Sequence, residues 1–196
     1  MTSSSNRINS IVIITANYPS QARPTNGTFV RQLAHAMAEM GLNSTVISPV
    51  AIHRALTGGY QSVDTEKTSN GTIIRVFRPR YLSLSARKGF SKLGFLNPSR
   101  RTFSNFLNTT KRTLRIFRIK PDVFYGHFMF SAGGAAIKIG KERDTPAFVG
   151  VGEGEFWTVE KMGQQYSKII LKHSNGFIAN SSDIQQNLWR LLETKD

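Results

Sequence analysis

Cysteine is missing altogether from this 196-residue chain, so neither a disulfide framework nor a thiolate metal site can organise it. That absence is consistent with a reducing compartment. Long apolar runs are missing too: nothing approaches the roughly 18 residues that a spanning helix needs. The opening MTSSSNRINS lacks the apolar segment of a secretory leader. Acids are missing from one span, Lys67 to Pro121, which nevertheless holds 14 of the 26 Lys and Arg. Elsewhere acids and bases balance, so this span accounts for the net charge of +14. Such a patch points to polyanions: anionic lipid head groups, nucleic acid or phosphorylated substrates. His35, His53 and His173 show no metal-ligand spacing, and no metal is expected. No Gly-x-Gly-x-x-Gly is found, which removes the dinucleotide fingerprint.

What is there alternates strand and helix. Ile11–Ile14 is a continuous apolar run, as in a parallel strand covered on both faces, and Thr45–Ser48 is a second. Between them Thr28 can cap a helix whose apolar positions are Phe29, Val30, Leu33, Ala34, Met37 and Met40, with Gly41 as its stop. The loop Asn17–Gly27 then opens at the carboxyl edge of the sheet, where doubly wound proteins bind ligands. From Pro49 the chain reads as irregular until a strand at Thr72–Phe77, and Arg80–Pro98 reads as a mobile basic loop. A helix runs from Ser99, its N-cap, to Ile119, with Phe103, Phe106, Leu107, Thr110, Leu114 and Phe117 on one face. Arg100, Arg101, Lys111, Arg112, Arg115 and Arg118 flank that face, so the helix is basic and amphipathic. Its charged flank is either solvated or docked on an anionic membrane.

Further strands are expected at Val123–Tyr125, Ala147–Val151 and Gly176–Asn180. Helices are expected from Ser131, over Thr158–His173 and over Asp183–Leu192. Gly133, Gly134, Ala135 and Ala136 would let one helix approach the sheet closely. The fold class is therefore α/β: one Rossmann-like, open, mostly parallel sheet of about six strands.

Tyr18-Pro19, Asn26-Gly27-Thr28-Phe29-Val30-Arg31-Gln32-Leu33, Met40-Gly41 and Val46-Ile47-Ser48-Pro49 resemble the opening of family-four GT-B glycosyltransferases. Pro121-Asp122-Val123-Phe124-Tyr125-Gly126-His127-Phe128 resembles that family's strand ending in histidine. Gly134-Ala135-Ala136 with Thr145-Pro146 resembles the family's next helix and its exit, and Phe177-Ile178-Ala179-Asn180-Ser181-Ser182 the end of its N-terminal half. Gly152-Glu153-Gly154-Glu155 stands where the family has a His-Gly-Ser-Asp motif. Either Gly152 or Glu153 takes the histidine's place, according to how the motifs are aligned.

The resemblance implies half of a GT-B fold over residues 1–196, with helices on both faces of the sheet and a basic loop and helix at about 78–120. It implies an acceptor-binding domain of a retaining hexosyltransferase-like enzyme in cell-surface polysaccharide or glycolipid synthesis. The nucleotide-sugar would be a co-substrate, with no cofactor and no metal. The family's donor-binding second domain is not in this chain, so the chain alone should be inactive, or should act as the membrane-side subunit of a split enzyme. Expected partners are a donor-binding domain or subunit, a sugar or lipid-linked acceptor and an anionic membrane. The expected place is cytoplasmic, peripheral at the inner face of the membrane. A noncatalytic nucleic-acid-binding module is the alternative from another class, disfavoured because no recognition-helix or RNA-binding-sheet signature accompanies the basic span.

On this reading His127, Glu153 and Glu155 are candidate catalytic residues. The histidine would donate a hydrogen bond to sugar oxygens, and the carboxylates would accept from hydroxyls or act as a base if burial raised a pKa. Asn26, Gly27, Thr28, Trp157, Asn180 and Ser181 are candidate substrate contacts. The plainer alternatives are that Gly27 is a turn glycine, and that Asn180 and Ser181 cap a helix. Thr28 to Arg31 would aim N–H groups at a phosphate.

Overall fold

The computed structural model describes residues 8–56, 58–84, 97–153 and 155–193. Most of the Arg80–Pro98 loop lies outside the described residues, as does Gly154.

Seven strands form one sheet. They are β1 (Ser10–Ile14), β2 (Asn43–Ile47), β4 (Val63–Lys67), β5 (Ile73–Phe77), β7 (Val123–His127), β8 (Ala147–Val151) and β9 (Gly176–Ala179). Their order across the sheet is β4-β5-β2-β1-β7-β8-β9, parallel except for β4, which runs antiparallel to β5. A two-stranded pair, β3 (Val50–Ala51) with β6 (Arg80–Tyr81), extends past the ends of β2 and β5. The helices are α1 (Thr28–Glu39), α2 (Ile52–Ala55), α3 (Pro98–Ile116), α4 (Gly134–Arg143), α5 (Trp157–Met162), α6 (Gln164–Leu171) and α7 (Ser182–Glu193).

Because side chains alternate across a strand, β1 feeds two cores at once. Ile11 and Ile13 pack with Val46, Ile74 and Val76 beneath Val30, Ala34 and Ala38 of α1. Val12 and Ile14 pack with Phe124 and Val149 beneath α3 and α4, through Phe103, Phe106, Leu114, Ala135, Ile137 and Ile139. Helices thus cover both faces. The chain crosses from β1 outward to β2 on one side and from β7 outward to β8 on the other. The switch in direction falls between β1 and β7, and at such a point the strand ends part to leave a crevice.

Several boundaries depart from the sequence-based expectation. Strand β4 lies in the stretch that reads as irregular; its VDTEK carries no apolar run, and alternate residues are exposed and half-buried, as suits an edge. Asn97, not Ser99, caps α3: its side chain accepts from Ser99 N at 2.9 Å and Arg100 N at 3.2 Å, with Pro98 as the first helical residue. Gly163, at φ 89°, splits the helix expected over Thr158–His173 into α5 and α6. The helix expected from Ser131 begins with an irregular π-turn at Met129–Gly133. Periodicity puts Phe29, Met40 and Phe117 on apolar faces, yet they are 47%, 82% and 44% exposed because they sit at helix ends beyond the sheet's cover.

Candidate active site

The loop after β1 is built around a left-handed residue. Gly27 has φ 73° and stands at the N-cap of α1 with no side-chain cap bond, so the cap expected of Thr28 belongs to Gly27. Any Cβ at Gly27 would overlap the Asn17 carbonyl, so the residue closes the loop against its own start. Its carbonyl accepts from Val30 N at 3.0 Å and Arg31 N at 3.2 Å. The expected fan of free N–H groups therefore narrows to Thr28 and Phe29. At the other end of the loop the Thr15 hydroxyl donates to Asn17 O at 2.9 Å.

On the other side of the switch point, β7 delivers His127 and β8 delivers Glu153. The Tyr125 hydroxyl lies 3.0 Å from His127 Nδ1, which occupies that nitrogen within the strand, and the histidine lines the cleft. Room for the Tyr125 hydroxyl exists because its neighbour on β8 is Gly150, where a Cβ would collide with it. The imidazole is packed by Phe29 and Phe128 at centroid distances of 5.1 and 4.5 Å. Burial holds its pKa down to about 4, so the ring is neutral at pH 7. Phe29 is a contributor that the sequence conceals: periodicity assigns it to the core of α1, but it forms one side of the histidine's pocket.

Glu153 turns back toward β7. Its Oε1 accepts from Met129 N at 2.8 Å and its Oε2 from Gly152 N at 3.3 Å. Burial raises its pKa above the usual carboxylate range against the pull of these N–H groups. The same carboxylate, after burial, helps push the Tyr125 phenol up to about 12. A Cβ at Gly152 would meet the Asn180 amide and the Phe128 ring.

A cleft of about 760 Å³ opens over these groups. Asn26, His127, Gly152, Glu153, Glu155 and Trp157 all line it, and the structure brings these sequence candidates together. Trp157 is 52% exposed and carries the Lys161 ammonium 4.4 Å from its ring centroid. Gly27 and Thr28 stand behind the lining. Asn180 and Ser181 line a neighbouring groove of about 650 Å³ beside β9 and α7; the Asn180 amide borders the cleft only where it abuts Gly152, and Ser181 Oγ accepts from Ile184 N at 3.3 Å. The cleft also holds Arg23, Arg54, Tyr60, Arg78 and Tyr81, which sequence reasoning does not single out. Among the described residues no group of three His, Asp or Glu is placed to hold a metal.

The basic candidates divide. Arg100 is engaged, donating from Nε to Met162 O at 2.7 Å and lying 4.4 Å over the Tyr166 ring. Lys111 pairs with Glu142 at 2.5 Å. Arg101, Arg112, Arg115 and Arg118 are exposed.

The chain is 30% identical over 143 residues to TuaC of Bacillus subtilis (strain 168), a protein assigned to teichuronic acid biosynthesis as a glycosyltransferase. The chain is thus similar to part of a glycosyltransferase. The match takes in 69% of the chain and 34% of TuaC, so the chain spans about a third of that relative's length. No protein-family model matches. Among solved structures, a Listeria monocytogenes protein assigned as a UDP-N-acetylglucosamine 2-epimerase superposes with a TM-score of 0.53 at 11% identity, over 96% of this chain and 43% of its own. UGT89C1 of Arabidopsis thaliana, complexed with UDP-L-rhamnose, gives 0.51 at 12% identity, over 90% of this chain and 46% of its own. At such identities the likeness is one of fold: the domain has the architecture of about half of each.

Proposed function

We propose that this domain is the acceptor-binding half of a retaining, family-four GT-B glycosyltransferase that acts on a membrane-associated acceptor in cell-surface polysaccharide or glycolipid synthesis. The observation that supports it most is the pairing at the switch point of His127, held neutral, with Glu153, fixed by two backbone N–H groups. Where Nδ1 accepts from the Tyr125 hydroxyl, the neutral imidazole offers Nε2–H to a sugar oxygen; where Nδ1–H donates, Nε2 accepts from a sugar hydroxyl, as the anchored Glu153 carboxylate does. These are positioning interactions, which fix the acceptor for attack. The nucleotide-sugar enters as co-substrate, and none of the residues assigned here requires a resident metal. A donor-binding half, from further sequence or from a partner subunit, supplies the opposite wall; these 196 residues alone should transfer nothing.

The membrane part of the reading rests on α3. Nineteen residues at about 1.5 Å each carry it away from the cleft edge, where Ser99 and Thr102 line the pocket, to Phe117, whose ring packs on Phe77. Arg101, Arg112 and Arg115 lie exposed along it, together with exposed Leu82 and Leu84 beside its first turns and Ile116 at its end. Basic and apolar groups along one surface suit an anionic interface. Among the described residues no helix is long and apolar enough to cross a membrane.

Two measurements test this. Titrating isotope-labelled protein with saccharides should move the signals of His127, Glu153 and Trp157; if no saccharide moves them, the site reading fails. In vesicle co-sedimentation, changing Arg101, Arg112 and Arg115 together to Glu should abolish binding to anionic liposomes. If lipid binding survives that change while nucleic-acid binding collapses, the membrane reading gives way to the nucleic-acid one.

A further inference from the structure

Charge is unevenly spread along the cleft: the β8 side mixes two carboxylates with Lys161, which lies over Trp157, and the charged lining of the β2–β5 side is arginine alone. The carboxylates, Glu153 and Glu155, both come from the loop after β8. Across the switch point, the β2–β5 side contributes Arg23 from the loop after β1, Arg54 from α2 and Arg78 from the end of β5. Two tyrosines, Tyr60 and Tyr81, accompany them. We infer that this arginine–tyrosine lobe is a subsite for an oxyanion carried by the acceptor, so that the sugar to be extended is a glycosyl phosphate or a uronate rather than a neutral saccharide. This rests on the reading of the domain as an acceptor-binding half.

Arg78 is the anchor. It is 4% exposed, its NH1 donates to Asp64 Oδ2 at 3.2 Å, and its NH2 donates to Pro19 O at 2.7 Å. Its Nε is buried and has no hydrogen-bond partner, although a guanidinium N–H withheld from both water and acceptor costs stability. The Asp64 carboxylate is 37% exposed and meets only one edge of the fork. Arg23 and Arg54 are exposed on the same lobe, and Arg23 has no acidic partner among the described residues. Arg54 lies near enough to the Tyr81 hydroxyl for its charge to oppose the effect of burial there. Guanidinium groups match phosphate and carboxylate alike through paired N–H donors, and a concave, partly dry wall strengthens that match. Tyrosines beside them can carry a sugar face while their hydroxyls reach its oxygens.

The sugar ring would then lie between the lobes. Its oxyanion would meet the arginines, and its attacking hydroxyl would point to His127 and Glu153. The same asymmetry disfavours the reverse orientation, because an oxyanion at Glu153 and Glu155 would meet two like charges against the single Lys161.

Calorimetric titration of the 196-residue protein tests this with glucose 1-phosphate, glucuronate, glucose and UDP as probes. A charge-assisted contact predicts that at least one of the two anionic sugars binds roughly tenfold or more tighter than glucose. Arg54→Gln and Arg23→Gln, both surface changes, should each weaken it several-fold, while a Lys120→Gln/Lys172→Gln double variant, exposed and away from the cleft, should not. Preference for glucose 1-phosphate would name a phosphate-linked acceptor, and preference for glucuronate an acidic saccharide. Equal binding of glucose, indifference to Arg54→Gln and Arg23→Gln, or full displacement of the sugar phosphate by UDP would overturn the inference, the last because it would make the lobe part of the donor site. Failure of the acceptor-domain reading looks different: no saccharide, charged or neutral, would then shift the signals of His127 and Glu153.

Discussion

At the scale of single residues, two glycines carry the geometry for different reasons. Gly27 needs both a positive φ and an empty Cβ position, whereas Gly41, at φ 92°, needs only the first, since nothing lies near its Cβ. Gly41→Ala should therefore cost about 1–2 kcal/mol, and Gly27→Ala about 1–3 kcal/mol more, as read by chemical denaturation. Gly150 is required by its neighbour. The Gly150→Ala change should be markedly less destabilising in a Tyr125→Phe background, because the collision is first with the hydroxyl; a double-mutant cycle reads that coupling. Acidity offers a further check. His127, lowered to about 4, stays neutral while the unfolded chain takes up a proton near 6.5, so its contribution is present above 6.5 and lost as pH falls toward 4. Glu153, raised by burial, works the other way: its penalty is present at neutral pH and relieved on acidification. The two slopes oppose each other where they overlap. A Glu153→Gln variant should lose stability more steeply than the parent between pH 6.5 and 4, and an unchanged slope would show that the carboxylate is not so perturbed. His127 and Glu153 were legible in the sequence because each comes just after an apolar strand run. Tyr125 was not, since a tyrosine inside a strand reads as core until its partner across the strand pair is known.

At the scale of elements, periodicity is informative where one face is fully buried and poor at ends and edges. The buried face of α3 was legible as Phe103, Phe106, Leu107, Thr110 and Leu114, all buried in the structure. Its start was not: Ser99 and Asn97 are both good caps, and only the backbone path decides between them. Asn97 also donates from Nδ2 to Lys161 O at 2.9 Å, tying α3 to α5. Asn97→Ala should thus cost about 2 kcal/mol, more than an isolated cap, because a carbonyl loses its partner as well; Ser99→Ala should cost well under half of that. Strand β4 is hidden for the converse reason, that an edge strand buries too little to leave a pattern. The same weakness of signal hides Arg54 and Arg78. Both are visible as basic residues, but only the crossing of β3 and β6 past the sheet edge turns them toward the cleft.

At the scale of the whole molecule, the charge that dominates the sequence is spread over regions with separate tasks. Part of it goes to internal ties, as in Arg78 to Pro19, Arg100 to Met162 and Arg143 to Ile119. The exposed remainder along α3 should make liposome binding fall steeply with added salt, while sugar binding in the cleft falls more gently, since enclosed charges are less screened. A common salt dependence for both would argue against two distinct sites. Order along the sheet also bears on time rather than equilibrium. Of the described strands β1 is made first and lies at the centre, pairing with β2 soon after synthesis, yet its other neighbour, β7, begins only at Val123. Through that interval the nascent half-sheet β4-β5-β2-β1 ends on β1, whose apolar Ile11–Ile14 run has an unpaired flank. The safest birth for this protein is therefore one in which Val123–His127 arrives before a stranger's strand does.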